Sequence, residues 1–303
     1  MSTATLDAPS ATPPSPQRRA KKISDAQRGL EKARRTPRLA IYLPLGLYLL
    51  FTLVPFYWIA MFAFRKDGSD TLFPVGDDFT LEHFDTVWNG SGFAVFFRNS
   101  VMIALMVLIC VTVISLLAGY AMARYDFRAK NVILVGLLCT QFVPGAMLLI
   151  PLFEVFRSVN LTNTLWSIII ADTVFQMPLS IMLMTGFIRN VPIEIEEASW
   201  IDGCSRLQGF RANVLPLLLP GIVAISSFAF IGAWNNFLFA LMFLNSQSKF
   251  TIPVGLNYMI GENAVNFGAL AAGGVIAVVP VVLVFAYVQK FLVKGMSSGA
   301  VKG

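Results

Sequence analysis

Charge is scarce in this chain. Only 13% of its 303 residues are Asp, Glu, Lys or Arg, 56% are hydrophobic, and mean hydropathy is +0.69. A soluble domain carries about 25% charged residues, so this composition belongs to a protein whose solvent is partly lipid. Histidine occurs once, at His83, and cysteine three times, at Cys110, Cys139 and Cys204, with no CxxC spacing. That poverty excludes zinc-binding, histidine-based catalytic constellations and a disulfide framework. The GxxxxGK[ST] phosphate loop is missing, so no ATP site of its own is expected. Ten-residue alternating segments are missing as well, which argues against a membrane β-barrel. The net charge of +6 is spread among apolar runs and does not form a nucleic-acid-binding surface. His83, in a polar loop, reads as a solvated surface residue.

Residues 1–36 contain no aromatic side chain and are rich in Ser, Pro, Ala, Lys and Arg. They read as a disordered basic tail, with 24–35 able to form a polar helix. The remainder, 37–303, holds six apolar stretches long enough to cross a bilayer, at about 39–64, 101–123, 132–156, 165–188, 221–244 and 267–290. A spanning helix needs about 20 such residues. The first run exceeds the core of a signal peptide and ends in no small-residue cleavage site, so it reads as a retained span. The fold class is therefore an all-α polytopic membrane protein. Eighteen of the 23 basic residues fall on the side that holds both termini, which puts both termini in the cytoplasm. The outer loop at 65–92 is acidic and short, suited to a cap or partner contact.

The connection at 189–220 is longer than a turn between spans requires. "NVPIEIEEASWIDG" (190–203) has helix chemistry: Asn190 near the cap, Pro192 in the first turn, acids at 194, 196 and 197, and Gly203 as terminator. A second short helix follows from Ser205 to about Val214, stopped by Leu215–Pro216. The connection's three basic and four acidic residues are balanced, whereas a membrane-surface helix is basic-faced. Small residues beside acids suit docking into a protein cleft.

"EASWIDG", nine residues and "NVLP" resemble the EAA loop of ABC importer permeases, with Glu197, Ala198, Gly203, Leu215 and Pro216 in register. Ser199 replaces an alanine and Asn213 an isoleucine, a change expected to weaken packing of the second helix. "GYAMARYDFRAKN" (119–131), "PGAMLLIPLF" (144–153), "NLTNTLWSIII" (160–170), "GAWNNFLFALMFL" (232–244), "TIPVGL" (251–256) and the terminal "FLVKGMSSGAVKG" are similar to the MalG-like permease of maltose-type carbohydrate importers. The resemblance covers about 39–303. It implies a type I importer permease fold in the cell membrane, a sister permease as heterodimer partner, two ATPase subunits that bind ATP and Mg, and an extracytoplasmic sugar-binding protein. It also implies that Glu196, Glu197, Ala198, Ser199, Asp202 and Gly203 seat in the ATPase.

Within the spans, Pro55, Pro144, Pro151, Pro178 and Pro280 free backbone carbonyls and suggest broken, mobile helices. Asp172, with Gln176 one turn later on the same face, is an intramembrane acid and hence a functional candidate. Trp234, Asn235, Asn236 and Phe237 combine amides with aromatic faces, which suits sugar hydroxyls and C–H surfaces. Interhelical hydrogen bonding accounts for the amides equally well. Ala269 and Gly273 have the spacing of a helix-packing motif. The reading is a non-catalytic permease subunit of an ATP-driven sugar importer. Its alternatives are an ABC permease for glycerol phosphate, polyamine or another solute, and an ion-coupled secondary transporter.

Overall fold

The computed structural model describes residues 38–68, 76–261 and 266–299. The tail at 1–36 and the last four residues lie outside them. Among the described residues the fold is helical, and the sole β feature is an isolated bridge between Arg65 and Phe79. In chain order the helices are α1 (Arg38–Phe64), α2 (Glu82–Asp85), α3 (Phe93–Arg124), α4 (Lys130–Thr140), α5 (Leu149–Ser158), α6 (Leu165–Arg189) and α7 (Glu194–Ile201). There follow α8 (Arg206–Gly209), α9 (Leu215–Leu217), α10 (Leu219–Trp234), α11 (Leu238–Phe243), α12 (Ile252–Gly261) and α13 (Phe267–Gly299).

Four helices, α1, α3, α6 and α13, are long and apolar enough to cross a membrane unaided. Two bent pairs bring the number to as many as six if each pair is counted as one span. One runs from Lys130–Thr140 into Gly145–Ser158 at 91°, and the other from Arg206–Leu217 into Leu219–Trp234 at 74°. The expected continuous third span is thus broken, and the second bend lies at Leu218, just before the expected fifth span. At the third, Pro144 sits extended (φ −61°, ψ 128°) before a 3₁₀ turn at Gly145–Leu148, because proline cannot continue the i→i−4 ladder. The expected fifth span is interrupted separately at Asn235–Phe237, between α10 and α11, with no proline involved. Pro55, Pro178 and Pro280 ride inside unbroken helices. Pro151 lies in the first turn of α5, where its missing N–H costs nothing.

The chain divides into two units, the first ending at Trp58 and the second running from Ile59. From Leu39 to Ile59 every residue of α1 is exposed. In the second unit α3, α6 and α10 pack into one core, with α13 against α10. Their contacts are close because small residues sit at the crossings. A Cβ on Gly119 of α3 would lie 2.9 Å from the Met184 side chain of α6, and one on Gly221 of α10 would lie 2.6 Å from Phe187. Ala269 is buried and Gly273 faces Leu256, so that small-residue pair is a packing face as expected.

On the side of α3's first residues, loops are tied by side chains. Asn99 Nδ2 donates to the carbonyls of Ser248 (3.1 Å) and Phe250 (3.0 Å), and Ser100 Oγ accepts from Ile252 N at 2.9 Å. Asn163, in the left-handed region at φ 54°, donates to Ser246 Oγ and accepts from the backbone of Asn245 and Ser246. His83 corrects the sequence expectation: it is 5% exposed, lies against Gly268, and its Nε2 is 2.9 Å from the Arg65 carbonyl. The Arg65 carbonyl and Gly268 close around its ring, which its polar neighbours in sequence do not reveal. The three cysteines are free.

Candidate functional site: the loop and the broken spans

The candidate site residues fall in two places among the described residues. The first is the loop after α6. Asn190 closes α6 and does not open the next helix, and α7 begins at Glu194 with three acids in its first turn, where the helix dipole favours negative charge. Gly203 follows α7 at φ 86° with open space around its Cα hydrogen. It is therefore required for its left-handed conformation, and close packing within the chain plays no part. Ser205 then starts α8 with a capping box: its hydroxyl accepts from Gln208 N, and Gln208 Oε1 accepts from Ser205 N at 2.9 Å. Leu215–Pro216 does not stop this second helix. Helical structure passes through a π turn at Phe210–Val214 into α9, where Pro216 occupies a first-turn position.

The site residues read from the loop separate into two faces. Glu197, Ala198, Asp202 and Gly203 are exposed, and beside them Ile201 is 86% exposed. Glu196 and Ser199 are buried, which corrects the expectation that all six face a partner. Helical spacing explains the division, since 196 and 199 share one side of α7 while 197, 198 and 201 share the other. Glu196 Oε1 accepts from Arg124 Nε at 2.6 Å and Oε2 accepts from Tyr120 Oη at 2.7 Å, while Arg124 Nη2 donates to the Val191 carbonyl at 2.9 Å. Neither Arg124 nor Tyr120 was singled out in sequence, because nothing local marks the last turn of a span as the partner of an acid 72 residues away. Asn213, expected to weaken the loop, donates to Ser199 Oγ at 2.6 Å, and Ser199 in turn donates to the Ile195 carbonyl. The two departures from the EAA pattern are thus in contact with each other, one polar change answering the other.

The second place is where the third and fifth spans break. Asn235 closes α10, and Asn236 Oδ1 accepts from Phe239 N at 3.1 Å, capping α11 from within the gap. Asn236 Nδ2 donates to Asp172 Oδ1 on α6. Asp172 is 4% exposed and its other carboxylate oxygen has no hydrogen-bond partner among the described residues. Gln176, one turn along, lies against Gly232, where an added Cβ would meet Oε1 at 2.8 Å. Beside these groups is a cavity of about 410 Å³, lined by Gly145 and Ala146 of one break and by Gly232, Asn235, Asn236 and Phe237–Phe239 of the other. Trp234 stands apart: it is 3% exposed, its Nε1 donates to the Ala277 carbonyl at 3.1 Å, and it packs on Phe97 and Phe230. It supports the wall and does not line the cavity.

Groups of three or more His, Cys, Asp or Glu able to hold a metal are missing among the described residues.

With this geometry in view, known proteins agree. Residues 112–298 match the family described as binding-protein-dependent transport system inner membrane component. The inner membrane ABC transporter permease protein YcjP of Escherichia coli is 31% identical over 88% of this chain and 97% of its own. The diacetylchitobiose uptake system permease protein DasC of Streptomyces coelicolor is 32% identical, covering 82% of this chain and 91% of its own. A solved bacterial ABC transporter involved in import of the polysaccharide alginate shares the fold, with a TM-score of 0.72 at 20% identity, over 92% of this chain and 99% of the other. The chain belongs to the binding-protein-dependent transport system inner membrane components, and is a multi-pass, non-catalytic permease subunit of an inner-membrane ABC importer.

Proposed function

We propose that the chain forms half of the membrane pathway of a sugar importer and contributes the cavity between its two broken spans to that pathway. The observation that carries this reading is the cavity's lining. Amides from Asn235 and Asn236 and the ring of Phe237 meet the start of the 3₁₀ turn at Gly145–Ala146, a combination able to pair hydroxyls and cover a sugar's apolar face. Broken helices in transporters line the substrate route because irregular backbone is tolerated in a membrane only beside a cavity or buried in protein. Asp172 and Gln176 stand behind that wall. The names of relatives such as the diacetylchitobiose permease support sugar as the cargo class.

A sister permease completes the pathway as a heterodimer partner, and the sugar arrives from an extracytoplasmic binding protein. Two ATPase subunits bind ATP and Mg and receive the exposed face of α7, formed by Glu197, Ala198, Ile201, Asp202 and Gly203. Both termini are cytoplasmic, as the distribution of basic residues favours.

The test is ATP-dependent uptake into proteoliposomes that hold this chain with its sister permease, its ATPase and its binding protein. The probes are labelled maltose, trehalose, N,N′-diacetylchitobiose and putrescine. Uptake of at least one sugar, lowered by Asn235→Leu or Asn236→Leu in fully assembled complexes, supports the reading. Uptake of putrescine alone overturns the sugar assignment, since a polyamine would suit Asp172. Normal uptake in both assembled variants overturns the pathway assignment.

A further inference from the structure

We propose that Glu196, Arg124 and Tyr120 are positioning residues that lock the α7 loop to the end of α3, making α3 the rod that carries loop motion to the opposite side of the bundle. The proposal rests on the ABC permease reading above and adds the path that the motion takes through this chain.

Three observations converge on it. First, the attachment fixes direction as well as distance. Both oxygens of the buried Glu196 carboxylate are engaged, one by Arg124 Nε and one by Tyr120 Oη, and the same guanidinium reaches the Val191 carbonyl at the entry to the loop. Arg124 is itself 10% exposed in its side chain. A planar guanidinium shared between a helix carboxylate and a backbone carbonyl resists rotation of α7 about α3, which a single apolar contact does not.

Second, α3 is unbroken over 32 residues, a rod of about 48 Å at 1.5 Å per residue. The third span is bent by 91° at its break, and the loop helices meet α10 at 74° at Leu218, so a push delivered along either path would be absorbed at its hinge.

Third, α3 ends in a second set of directed bonds. Asn99 holds the Ser248 and Phe250 carbonyls, and Ser100 holds Ile252 N. The helix thereby joins the loop at one end to the 248–252 connection at the other. Coupling between distant sites travels through rigid elements held by such contacts.

A buried ion pair alone is weak evidence for a mechanical role, since replacing it by apolar groups is often neutral for stability. That fact supplies the test. In the proteoliposome complex, uptake of the labelled sugar transported by the unaltered complex is measured together with ATP hydrolysis, for Arg124→Met/Glu196→Met and for Tyr120→Phe. The double variant removes both charges, so it is expected to assemble and hydrolyse ATP while its uptake per ATP falls about tenfold, the size of a typical coupling free energy. Tyr120→Phe deletes one hydrogen bond and is expected to lower the ratio about threefold. A purely structural role moves yield and melting temperature but leaves this ratio unchanged. If the double variant fails to co-purify with the ATPase, Tyr120→Phe alone decides. An unchanged ratio in every variant that assembles overturns the proposal. The unaltered complex serves as the control for the underlying reading: if it shows no ATP-driven uptake, the transport assignment falls and the proposal falls with it.

Discussion

Glu196 and Asp172 are two buried carboxylates in one chain, 2% and 4% exposed, and they are treated in opposite ways. Glu196 has a cation and a phenol on its two oxygens. Asp172 has one amide on one oxygen and nothing on the other among the described residues. Desolvating a carboxylate is costly unless its lone pairs are answered. A fully answered carboxylate fastens two elements together. A half-answered one is a standing cost, which persists where the free oxygen serves a function, and its place beside the cavity of the two broken spans is the corresponding location. The loop end of the molecule is built to hold, and the middle of the bundle is built to receive.

The sharpest way to break this comparison is to strand Glu196. Arg124→Met leaves a buried charge without its counter-ion, at a cost of about 3–5 kcal/mol. The expected result is loss of folded, assembled complex by size-exclusion yield and melting temperature, largely restored when Glu196→Met is added. An unchanged melting temperature in the single variant would show that Glu196 is solvated. The corresponding change at the other carboxylate, Asp172→Asn, removes charge without stranding a partner. Its melting temperature is expected to match the parent while sugar uptake falls about tenfold, the value of a hydrogen bond to a charged group. A stability loss as large as that of Arg124→Met would make Asp172 a second fastening.

Gly203 sharpens the distinction between the two faces of α7. Gly203→Ala costs about 1 kcal/mol through its left-handed backbone alone, because among the described residues no atom beyond its chain neighbours lies within 4 Å of the added Cβ. Co-purification of the ATPase that drops further than this strain explains would place a partner against that face. Retention in full would leave the face without one. The smallest effect is expected at the Ser199–Asn213 pair. Ser199→Ala and Asn213→Ile each cost less than about 1 kcal/mol, and together they cost less than their sum, because each single change leaves the other polar group in place. Additive costs in a double-mutant cycle would show that the contact carries no energy.

Much of the fold was legible. Six apolar runs, the long connection at 189–220 and the left-handed stop at Gly203 follow from composition, length and the special conformational freedom of glycine. The breaks were half legible. Pro144 marks one by chemistry that acts locally, whereas Pro55, Pro178 and Pro280 sit inside continuous helices, since neighbouring helices can satisfy the freed carbonyls. The break at Asn235–Phe237 has no breaker residue at all. It is held by Asn236 capping α11 on one side and reaching Asp172 on the other.

By itself the sequence determined that this chain lives in a membrane and which contiguous runs are apolar enough to cross it, because those properties depend on hydrophobicity summed along contiguous residues. Only the tertiary structure decided that Glu196 turns inward while Glu197 turns outward, that His83 is buried, that Trp234 is a wall and Asn236 a lining, and that Asn213 answers Ser199. Each of these depends on which residues, tens of positions apart, are brought within about 3 Å, and a hydrogen bond acts at that range whatever the distance along the chain.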